Sequence, residues 1–436
     1  MSVTTEKKNF TQELIASFDL SKFKQDSEQR KKALAAFQSL GLPEGKSEEY
    51  KFTPITKLLA KQFKAEELYT SPTPAVSDVS ALIPKAFQEN CVVFVNGVYN
   101  PALSQLAAGS KVVIKPFQEA MATHASVISE KLNEIKDNND PFALLNAAMW
   151  QDGLFIHVPK NTSGEKPLFI YHLHDANASK VTSHTRLMVV VEQSAEFSIV
   201  ERTDSLGKNT IFNTINEEIL VDENASFSYC KIQNDSGDLI HVSNTTVHQK
   251  KSSRADTYTF SLDGKLIRNN LNIIIDGEGC ESHFYGLYLT DGDTLVDNHT
   301  VVDHKQPNSF SNELYKGLMD GKSKGVFNGK IFVRPHAQKT NAFQSNRNIL
   351  LSDDATINTK PQLEIWADDV KCSHGCTTGQ LDDEALFYLQ SRGIPKATAK
   401  AMLLYAFAGE VLEAIKDENL KQYIDSIVSE RLHKSF

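Results

Sequence analysis

VVVEQSAEFSIVE (Val189–Glu201) aligns without gaps to ILVDENASFSYCK (Ile219–Lys231) further along the chain. The motif returns as ILLSDDATI (Ile349–Ile357) and, more loosely, as IIIDGEGC (Ile273–Cys280). Its shared pattern is a run of three apolar residues, an acidic or hydroxyl residue, two polar residues, a small residue and then a second strand-like segment. The chain therefore contains an internal repeat.

This repeat predicts a β-solenoid. Three consecutive apolar residues are typical of a strand that is buried on both faces, and a polar pair followed by Ala or Gly fits a tight corner with no room for a large side chain. A strand, a corner and a second strand, repeated along a chain, describe the coils of a solenoid. The spacing between the copies is irregular, so an ordinary β-sandwich with similar hairpins is the alternative.

The character of the sequence changes twice along the chain. About the first 150 residues are mainly helical in pattern, with a single strand at Cys91–Val95. Short β-branched and aromatic runs follow one another from about Gly153, and after Gly379 the chain is helical in pattern to its end. We therefore predict three domains: a mainly helical N-terminal domain at 1–150, a β-helix core at 151–378 and a C-terminal helical domain at 379–436.

Bulk properties exclude several classes of protein. A net charge of −9 over 436 residues argues against nucleic-acid binding, which needs clustered Lys and Arg. No run approaches the roughly 18 apolar residues of a membrane span, and the polar start MSVTTEKKNF has no secretory h-region. We expect a cytoplasmic protein that does not bind membranes, in which the five cysteines are thiols.

The segment KCSHGCTTG (Lys371–Gly379) places Cys372, His374 and Cys376 in C-x-H-x-C spacing. Thiolate and imidazole are ligands that suit iron, zinc, copper or iron–sulfur species. On a strand all three side chains would project from one face, but three ligands are too few for a closed structural zinc site. Any metal here would be in an open site, bridged to a partner, or transient.

Other interpretations of this segment stay open. Cys372 and Cys376 can be buried thiols, with His374 a capped surface histidine. Cys372 and His374 can also form a nucleophilic thiol–imidazole pair, although such pairs are usually far apart in sequence. A third possibility is a β-helix that processes polysaccharides, which would use a pair of carboxylates along a groove; no acidic constellation of that kind stands out in the sequence.

The remaining histidines and cysteines of the strand-rich region are predicted to be structural. His172 and His174 alternate along one strand and are expected to be polar residues on a sheet surface. Cys230 and Cys280 lie in apolar surroundings and are expected to be core thiols. The chain has no GxxxxGK[ST] loop, so we do not expect it to hydrolyse ATP by that route.

The C-terminal segment Ala401–Ile415 carries apolar residues on nearly every helical face. A helix of this kind has to be covered on more than one side. One side can lie on the solenoid, and the other has to meet the last helix or another protein.

A resemblance to a known family is carried by four segments: NGKIFVRP (Asn328–Pro335), QKTNAFQ (Gln338–Gln344), KCSHGCTTG (Lys371–Gly379) and FYLQSRGI (Phe387–Ile394). They closely resemble the SufB/SufD family of iron–sulfur cluster assembly proteins. The C-S-H-G motif is most similar to the SufD branch. The resemblance spans essentially the whole chain and is densest from Ser323 to Ile415.

This resemblance implies a fold and a set of partners. Cores of the family are right-handed parallel β-helices, which favours the solenoid over the sandwich. Family members pair as SufB with SufD, and each carries one SufC, an ABC-type ATPase that docks on the C-terminal helices. The resemblance therefore points to an ATPase-binding role for apolar residues of the C-terminal helical domain: Leu404, Tyr405, Phe407, Val411 and Leu412.

The resemblance also implies roles for the residues of the C-x-H-x-C segment. It suggests that His374, with Cys372 nearby, binds iron or a nascent cluster at the interface with the SufB-type partner. Many relatives carry Ala where this chain has Cys376, so this thiol is either a further metal ligand or a replacement for a small core residue, of which the second is favoured. No cofactor would be permanently bound, and iron or a nascent iron–sulfur cluster would be present transiently.

The resulting expectation is a non-enzymatic scaffold subunit that pairs with a SufB-type paralogue and docks a SufC-type ATPase. Two alternatives from other classes are a β-helical polysaccharide lyase or hydrolase and a purely structural homodimeric interaction protein. A homodimer of the isolated chain is compatible with all three interpretations, because an exposed solenoid sheet can pair with itself.

Overall fold

A computed structural model describes residues 9–19, 23, 28–45, 47–70, 76–125, 127–128, 140–164, 166–235 and 237–435. Helices lie mainly at the two ends of the chain, and strands fill its centre. The helices are α1 (Phe10–Ser17), α2 (Glu28–Leu40), α3 (Ile55–Gln62), α4 (Phe117–Thr123), α5 (Pro141–Met149), α6 (Asp383–Ser391), α7 (Lys396–Leu412) and α8 (Glu418–Ser435).

Short 3₁₀ turns at Glu48–Tyr50, Ala65–Tyr69 and Lys85–Phe87 link the N-terminal elements. The strands are β1 (Cys91–Val95), β2 (Val98–Tyr99), β3 (Val113–Pro116), β4 (Asp152–Val158), β5 (Leu168–Ala176), β6 (Val181–Val191), β7 (Glu196–Gly207), β8 (Ile211–Val221), β9 (Ser226–Asn234), β10 (Leu239–Gln249), β11 (Arg254–Asp263), β12 (Leu266–Ile275), β13 (Glu281–Thr290), β14 (Leu295–His304), β15 (Phe310–Met319), β16 (Lys324–Val333), β17 (Thr340–Leu350), β18 (Thr356–Ile365) and β19 (Val370–Gly379).

The strands from β4 to β19 form a parallel β-helix of about eight turns. Each turn contributes one strand to a nine-stranded sheet, in the order β18-β16-β14-β12-β10-β8-β6-β4-β3. It contributes the next strand to a ten-stranded sheet, in the order β19-β17-β15-β13-β11-β9-β7-β5-β1-β2. Every strand from β4 onward pairs in parallel with the strand two positions along the chain. The solenoid prediction is confirmed, and the hairpin-based sandwich is wrong because consecutive strands belong to different sheets.

The register of the strands confirms the gapless alignment of the sequence repeat. Val189 lies opposite Ile219 in the nine-stranded sheet, and Phe197 lies opposite Phe227 in the ten-stranded sheet. The looser copy at Ile273 continues the same ladder through Val247. The motif therefore marks the corner at which the chain passes from the nine-stranded to the ten-stranded sheet.

The copy at Ile349–Ile357 lies at the opposite corner. Ile349 belongs to β17 of the ten-stranded sheet, and the chain then enters the nine-stranded sheet at Thr356. Both corners join the end of a buried strand to a tight turn closed by a small residue. The local sequence requirement is the same at each corner, so the motif alone does not tell them apart.

The polar residues of the corner have a conformational role. One residue in each successive turn has a positive φ: Asn161, Ser194, Asn224, Ser252, Gly279, Asn308 and Lys339. Gly and Asn reach this left-handed region at the lowest steric cost. The left-handed residue reverses the chain direction within a few residues, which explains why polar and small residues recur between the apolar strands.

Helices cover the outer faces of both sheets. The N-terminal helices pack on the nine-stranded sheet, where Phe212, Ile240 and Leu266 share an apolar cluster with Ile55 and Phe142. Helices α7 and α8 pack on the ten-stranded sheet. Because inner and outer faces are both covered, the strands carry continuous apolar runs where a half-exposed sheet would show alternation.

The single strand predicted at Cys91–Val95 is present, but it is part of the solenoid sheets. β1 pairs in parallel with β5, and β3 pairs antiparallel with β4. The segment before residue 150 therefore extends both sheets of the β-helix at its N-terminal end. The division into three domains stays a prediction.

No helix in the described ranges is both long enough and apolar enough to cross a membrane.

Candidate functional site

The C-x-H-x-C segment lies on β19, at the end of the solenoid. β19 is the last strand of the ten-stranded sheet, and β18 is the last strand of the nine-stranded sheet. Each pairs on one side only within the described part of the chain. Most residues of both strands are exposed or half-buried, whereas the strands before them are largely buried. The final turn is therefore open, and the C-x-H-x-C segment lies at its rim.

Cys372, His374 and Cys376 share the face of β19 that points into the solenoid. Cys372 is half-buried and packs against the interior apolar cluster, which fixes the orientation of the alternate residues. In the ladder these three residues lie opposite Ala342, Gln344 and Asn346 of β17. His374 and Cys376 are exposed because no further turn covers them. The sequence prediction placed the three side chains on one face, and the strand geometry agrees.

The three side chains do not form a metal cluster within this chain. Among the residues that the structure describes, no group of three or more His, Cys, Asp or Glu side chains is close enough to hold a metal ion. Neighbours at i and i+2 on a strand are separated by about 6.5–7 Å at Cα, and β19 is regular over the segment. A ligand set built here would need at least one group from elsewhere.

Cys376 contacts the opposite strand of the same turn. Its Sγ atom lies 2.7 Å from Oγ1 of Thr359 on β18. The residue is exposed, so it does not fill a core position. We preferred the explanation that Cys376 replaces a small core residue. That explanation is wrong, because no following turn encloses the side chain.

The thiol of Cys372 is less available as a thiolate. Burial raises its pKa, while a hydrogen bond with the backbone of Ala342 acts in the opposite direction. A thiol has to lose its proton before it ligates a metal. Metal binding by Cys372 would therefore depend on the charge of the metal or on a change in exposure.

Polar side chains below the rim were missed by the sequence analysis. Glu313 of β15 and Gln344 of β17 are buried and face the solenoid interior, and Gln344 Nε2 donates to Glu313 Oε2 over 2.7 Å. Desolvation raises the pKa of the Glu313 carboxyl to about 7. Both strands carry polar residues at other positions as well, so no alternation in the sequence singled these two out.

His172 and His174 require a correction. Both are buried in the solenoid interior and not on a sheet surface. His172 Nε2 lies 3.5 Å from Glu201 Oε2, and burial, together with the charge of His172, lowers the pKa of His174 to about 3. The two histidines share one face of the strand, as predicted, but that face points into the solenoid. The opposite face of the strand is also covered.

An interior ionic network lies next to these histidines. Tyr229 Oη lies 2.9 Å from a carboxyl oxygen of Glu201 and 2.9 Å from one of Glu217, and Lys231 Nζ lies 2.8 Å from Glu217. Each of these side chains is buried and has a partner, as buried charges require. Cys230 and Cys280 are buried thiols, in agreement with the sequence prediction.

Most of the predicted ATPase-binding residues are buried within the chain. Leu404, Val411 and Leu412 pack against the ten-stranded sheet and α8. Phe407 is partly covered, and Lys316 Nζ lies 4.7 Å from its ring centroid. Tyr405 is exposed. The solenoid takes up the apolar face of α7 in this conformation, so docking of an ATPase at the four other positions stays a prediction that requires α7 to move.

A different set of large side chains is exposed on the C-terminal helices. Phe387 and Tyr388 of α6 are 73% and 56% exposed, and Met402 of α7 is 47% exposed. We refer to these three residues and Tyr405 together as the α6–α7 apolar surface. Sequence alone did not select it, because the helices are apolar on several faces.

Comparisons with known proteins place the chain in a family context. The segment 173–407 matches the family model described as "SUF system FeS cluster assembly, SufBD core domain", and the segment 10–170 matches "SufBD protein N-terminal region". An iron–sulfur cluster assembly SufBD family protein of Synechocystis is 34% identical over 400 residues, which cover 90% of this chain and 88% of that protein.

Two relatives are named as SufD. The iron–sulfur cluster assembly protein SufD of Escherichia coli is 32% identical over 408 residues and 93% of each chain. SufD of Bacillus subtilis is 27% identical over 394 residues, which cover 87% of this chain and 89% of that protein. The similarity therefore extends over the helices and the solenoid together.

Proposed function

This chain belongs to the SufBD family of the SUF iron–sulfur cluster assembly system, and on that premise we propose that it is a non-enzymatic scaffold subunit. In this role it pairs with a SufB-type paralogue and docks a SufC-type ABC ATPase. Iron or a nascent iron–sulfur cluster is the cargo of the assembly and not a resident cofactor of this chain. None of the relatives described above is named as a polysaccharide enzyme.

The observation that carries the proposal is the open last turn of the solenoid. Two edge strands, β18 and β19, end the two sheets side by side. Edge strands present unpaired N–H and C=O groups, which is the usual template for adding a strand from another chain. A second β-helix that pairs at this end would continue both sheets and would cover the rim.

The same end carries an incomplete set of metal ligands. Cys372 and His374 face the interior of the last turn, and a partner that continues the solenoid would bring its own side chains onto them. Imidazole and thiolate suit iron and iron–sulfur species. We therefore assign His374 and Cys372 to the cargo site, with Cys376 as a possible third ligand from this chain.

Docking of the ATPase is assigned to the C-terminal helices. The α6–α7 apolar surface consists of large side chains that are exposed on these helices, and Phe387 and Tyr388 are the most exposed of them. Aromatic side chains in exposed apolar patches are frequent contributors to protein–protein binding. The ATP cycle of the partner would act on the scaffold through α6 and α7.

The decisive experiment measures iron and labile sulfide in the complex. The chain is co-expressed with its SufB-type and SufC-type partners, as wild type and as His374→Ala, and the complexes are purified in equal amounts. His336→Ala is the matched control, because His336 is an exposed histidine at a corner of a neighbouring turn. Loss of iron in His374→Ala alone, with assembly intact, supports the cargo site.

If the His374→Ala complex contains as much iron as the wild-type complex, the chain is a subunit that only holds the interface. A Cys376→Ala variant in the same series decides whether this thiol is a third ligand, since lower iron would place it in the site. The homodimer alternative is tested by the mass of the isolated chain in solution. A stable dimer whose subunits are not replaced by the SufB-type paralogue would favour a purely structural homodimer.

A further inference from the structure

Three side chains form a ladder that leads from the solenoid interior to the rim. Glu313 lies opposite Gln344 in the pairing of β15 with β17, and Gln344 lies opposite His374 in the pairing of β17 with β19. Adjacent strands are about 4.8 Å apart, so side chains on the same face of a parallel ladder lie directly above one another. The ladder connects a buried carboxyl to the imidazole of the cargo site.

Gln344 is held in a defined position. Its Nε2 atom donates to Glu313 Oε2 over 2.7 Å, and its side chain is buried. Across the interior, a Cβ atom added to Gly329 would lie 2.2 Å from Gln344 Nε2. A side chain at position 329 would therefore displace the amide, and the glycine leaves the space that the amide occupies.

The acceptor oxygen of this amide lacks a donor. Gln344 Oε1 is buried without a hydrogen-bond partner, whereas the Glu313 carboxyl has the Thr300 hydroxyl and the Gln344 amide beside it, and both lower its pKa. Other buried polar atoms of this chain also lack a partner, so it is the position of Gln344 in the ladder, next to His374, that distinguishes this oxygen. The next side chain along the ladder is His374, whose ring can donate through either nitrogen.

The neighbouring ladder, beneath Cys376, lacks an unpartnered oxygen of this kind at Asn346 and Asn348. Cys376 lies opposite Asn346, and below it the polar groups satisfy one another. Asn346 Nδ2 donates to Tyr288 Oη over 3.1 Å, and Asn348 Nδ2 donates to Asn346 Oδ1 over 2.7 Å. The polar side chains beneath Cys376 are paired with one another, whereas the interior beneath His374 retains the unpartnered Oε1 of Gln344.

We propose that Gln344 is a positioning residue for His374: its Oε1 accepts a hydrogen bond from one imidazole N–H, and Glu313 orients the amide. The hydrogen bond fixes the tautomer of His374 and leaves the second ring nitrogen free to bind iron. Histidines that bind metals usually donate their other N–H in this way. The role in iron binding rests on the proposed function above, whereas the hydrogen bond itself does not.

The hydrogen bond is tested on the isolated chain without metal. Histidine-selective ¹⁵N NMR reports the tautomer of each imidazole, and His374→Ala identifies the resonances of His374. We expect one dominant tautomer in the wild type and a mixture of tautomers in Gln344→Met, which has a similar volume but no acceptor. Gln193→Met, the same change at an exposed corner far along the solenoid, is the control.

Gln344→Glu is a second variant, in which a proton shared with the adjacent Glu313 carboxyl takes the place of the amide N–H. It keeps an acceptor oxygen at the same place, so it should retain the dominant tautomer of the wild type, and circular dichroism verifies folding of both variants. Identical His374 spectra in the wild type, Gln344→Met and Gln344→Glu would overturn the proposal, whatever the result with iron.

The consequence for iron is tested separately, by titrating Fe(II) into the assembled complex under anaerobic conditions. Loss of an orienting partner typically lowers metal affinity about 10–100-fold, and we expect this range for Gln344→Met. A double variant with His374→Ala should bind no more weakly than His374→Ala alone. Additive losses would show that Gln344 acts independently of His374. Unchanged iron binding in His374→Ala would contradict the proposed function. It would not affect the result on the tautomer.

Discussion

Cys376 and Thr359 connect the two edge strands of the solenoid, with 2.7 Å between the thiol sulfur and the hydroxyl oxygen. The contact crosses the interior of the last turn, from β19 to β18. The thiol is nevertheless exposed, because no further turn lies above it. The two edge strands therefore contact each other at the end of the solenoid, while the face that carries His374 and Cys376 stays accessible.

Thiol reactivity should follow this arrangement. We expect Cys376 to react first with a thiol reagent such as dithionitrobenzoate, and half-buried Cys372 to react more slowly. Cys91, Cys230 and Cys280 should react only after unfolding, because they are buried and desolvation raises the pKa of each thiol. The Cys376→Ala variant should lack the fast phase. A fast phase that persists in this variant would mean that another thiol is accessible.

Stability should depend on pH through Glu313. Desolvation raises the pKa of its carboxyl to about 7 in the folded chain, from 4.5 as the reference value. Folding favours the uncharged carboxyl. Its contribution to the free energy of unfolding is therefore complete below pH 4.5 and is lost as pH rises through 7. Over this range the wild type should lose about 3 kcal/mol relative to Glu313→Gln. Urea unfolding at several pH values measures the difference.

Parallel stability profiles of the wild type and Glu313→Gln between pH 5 and pH 8 would contradict the raised pKa. The same comparison on the Gln344→Met background checks the role of the amide. Loss of the hydrogen bond that stabilises the carboxylate should raise the pKa of Glu313 further and extend the pH-dependent range upward.

A buried ion pair should anchor the N-terminal segment to the solenoid. Arg268 and Asp297 form an ion pair with both side chains buried, and Arg268 Nη1 also donates to the backbone oxygen of Glu49 over 2.8 Å. Asp297→Asn should cost about 3–5 kcal/mol, because it leaves a buried guanidinium without a counter-charge. Urea unfolding measures the free energy.

The control for this prediction is Asp293→Asn, which removes an ion pair between Lys265 and a largely exposed carboxylate. Exposed pairs contribute about 0–1 kcal/mol, so this variant should unfold almost as the wild type does. Equal losses of unfolding free energy in Asp293→Asn and Asp297→Asn would show that burial does not determine how much an ion pair contributes to stability.

The two faces of the C-terminal helices should respond differently to truncation. Leu404 is fully buried against the solenoid, whereas Phe387 is 73% exposed. Leu404→Ala should lower stability by about 2–5 kcal/mol through loss of packing. Phe387→Ala should leave stability within about 0.5 kcal/mol but weaken binding of the SufC-type ATPase about 10-fold or more. Thermal unfolding and calorimetric titration with the ATPase measure the two effects.

Unchanged ATPase binding by Phe387→Ala and by Tyr388→Ala would place the docking site outside the α6–α7 apolar surface. Weaker binding by Leu404→Ala at a temperature where that variant is fully folded would instead favour the originally predicted face. Such a result would require α7 to move away from the solenoid when the partner binds.

The solenoid could be predicted because its physical requirement recurs in every turn. A strand covered on both faces needs a continuous apolar run, and a corner with a left-handed residue needs small or polar side chains, as at Ser194 and Asn224. These requirements are local, so they leave a periodic record in the sequence. The same locality placed Cys372, His374 and Cys376 on one face of a strand.

The sequence by itself thus determined the coil, its repeat and the family. Only the tertiary structure decided which face of each strand points inward, and hence that His172 and His174 are buried. It also decided that Leu404 packs on the solenoid and that the C-x-H-x-C segment lies at an open end. Gln344 and Glu313 became candidates for the same reason. The physical cause is that alternation along a strand divides its side chains into two sets without saying which set is covered, since that depends on elements far away in the chain.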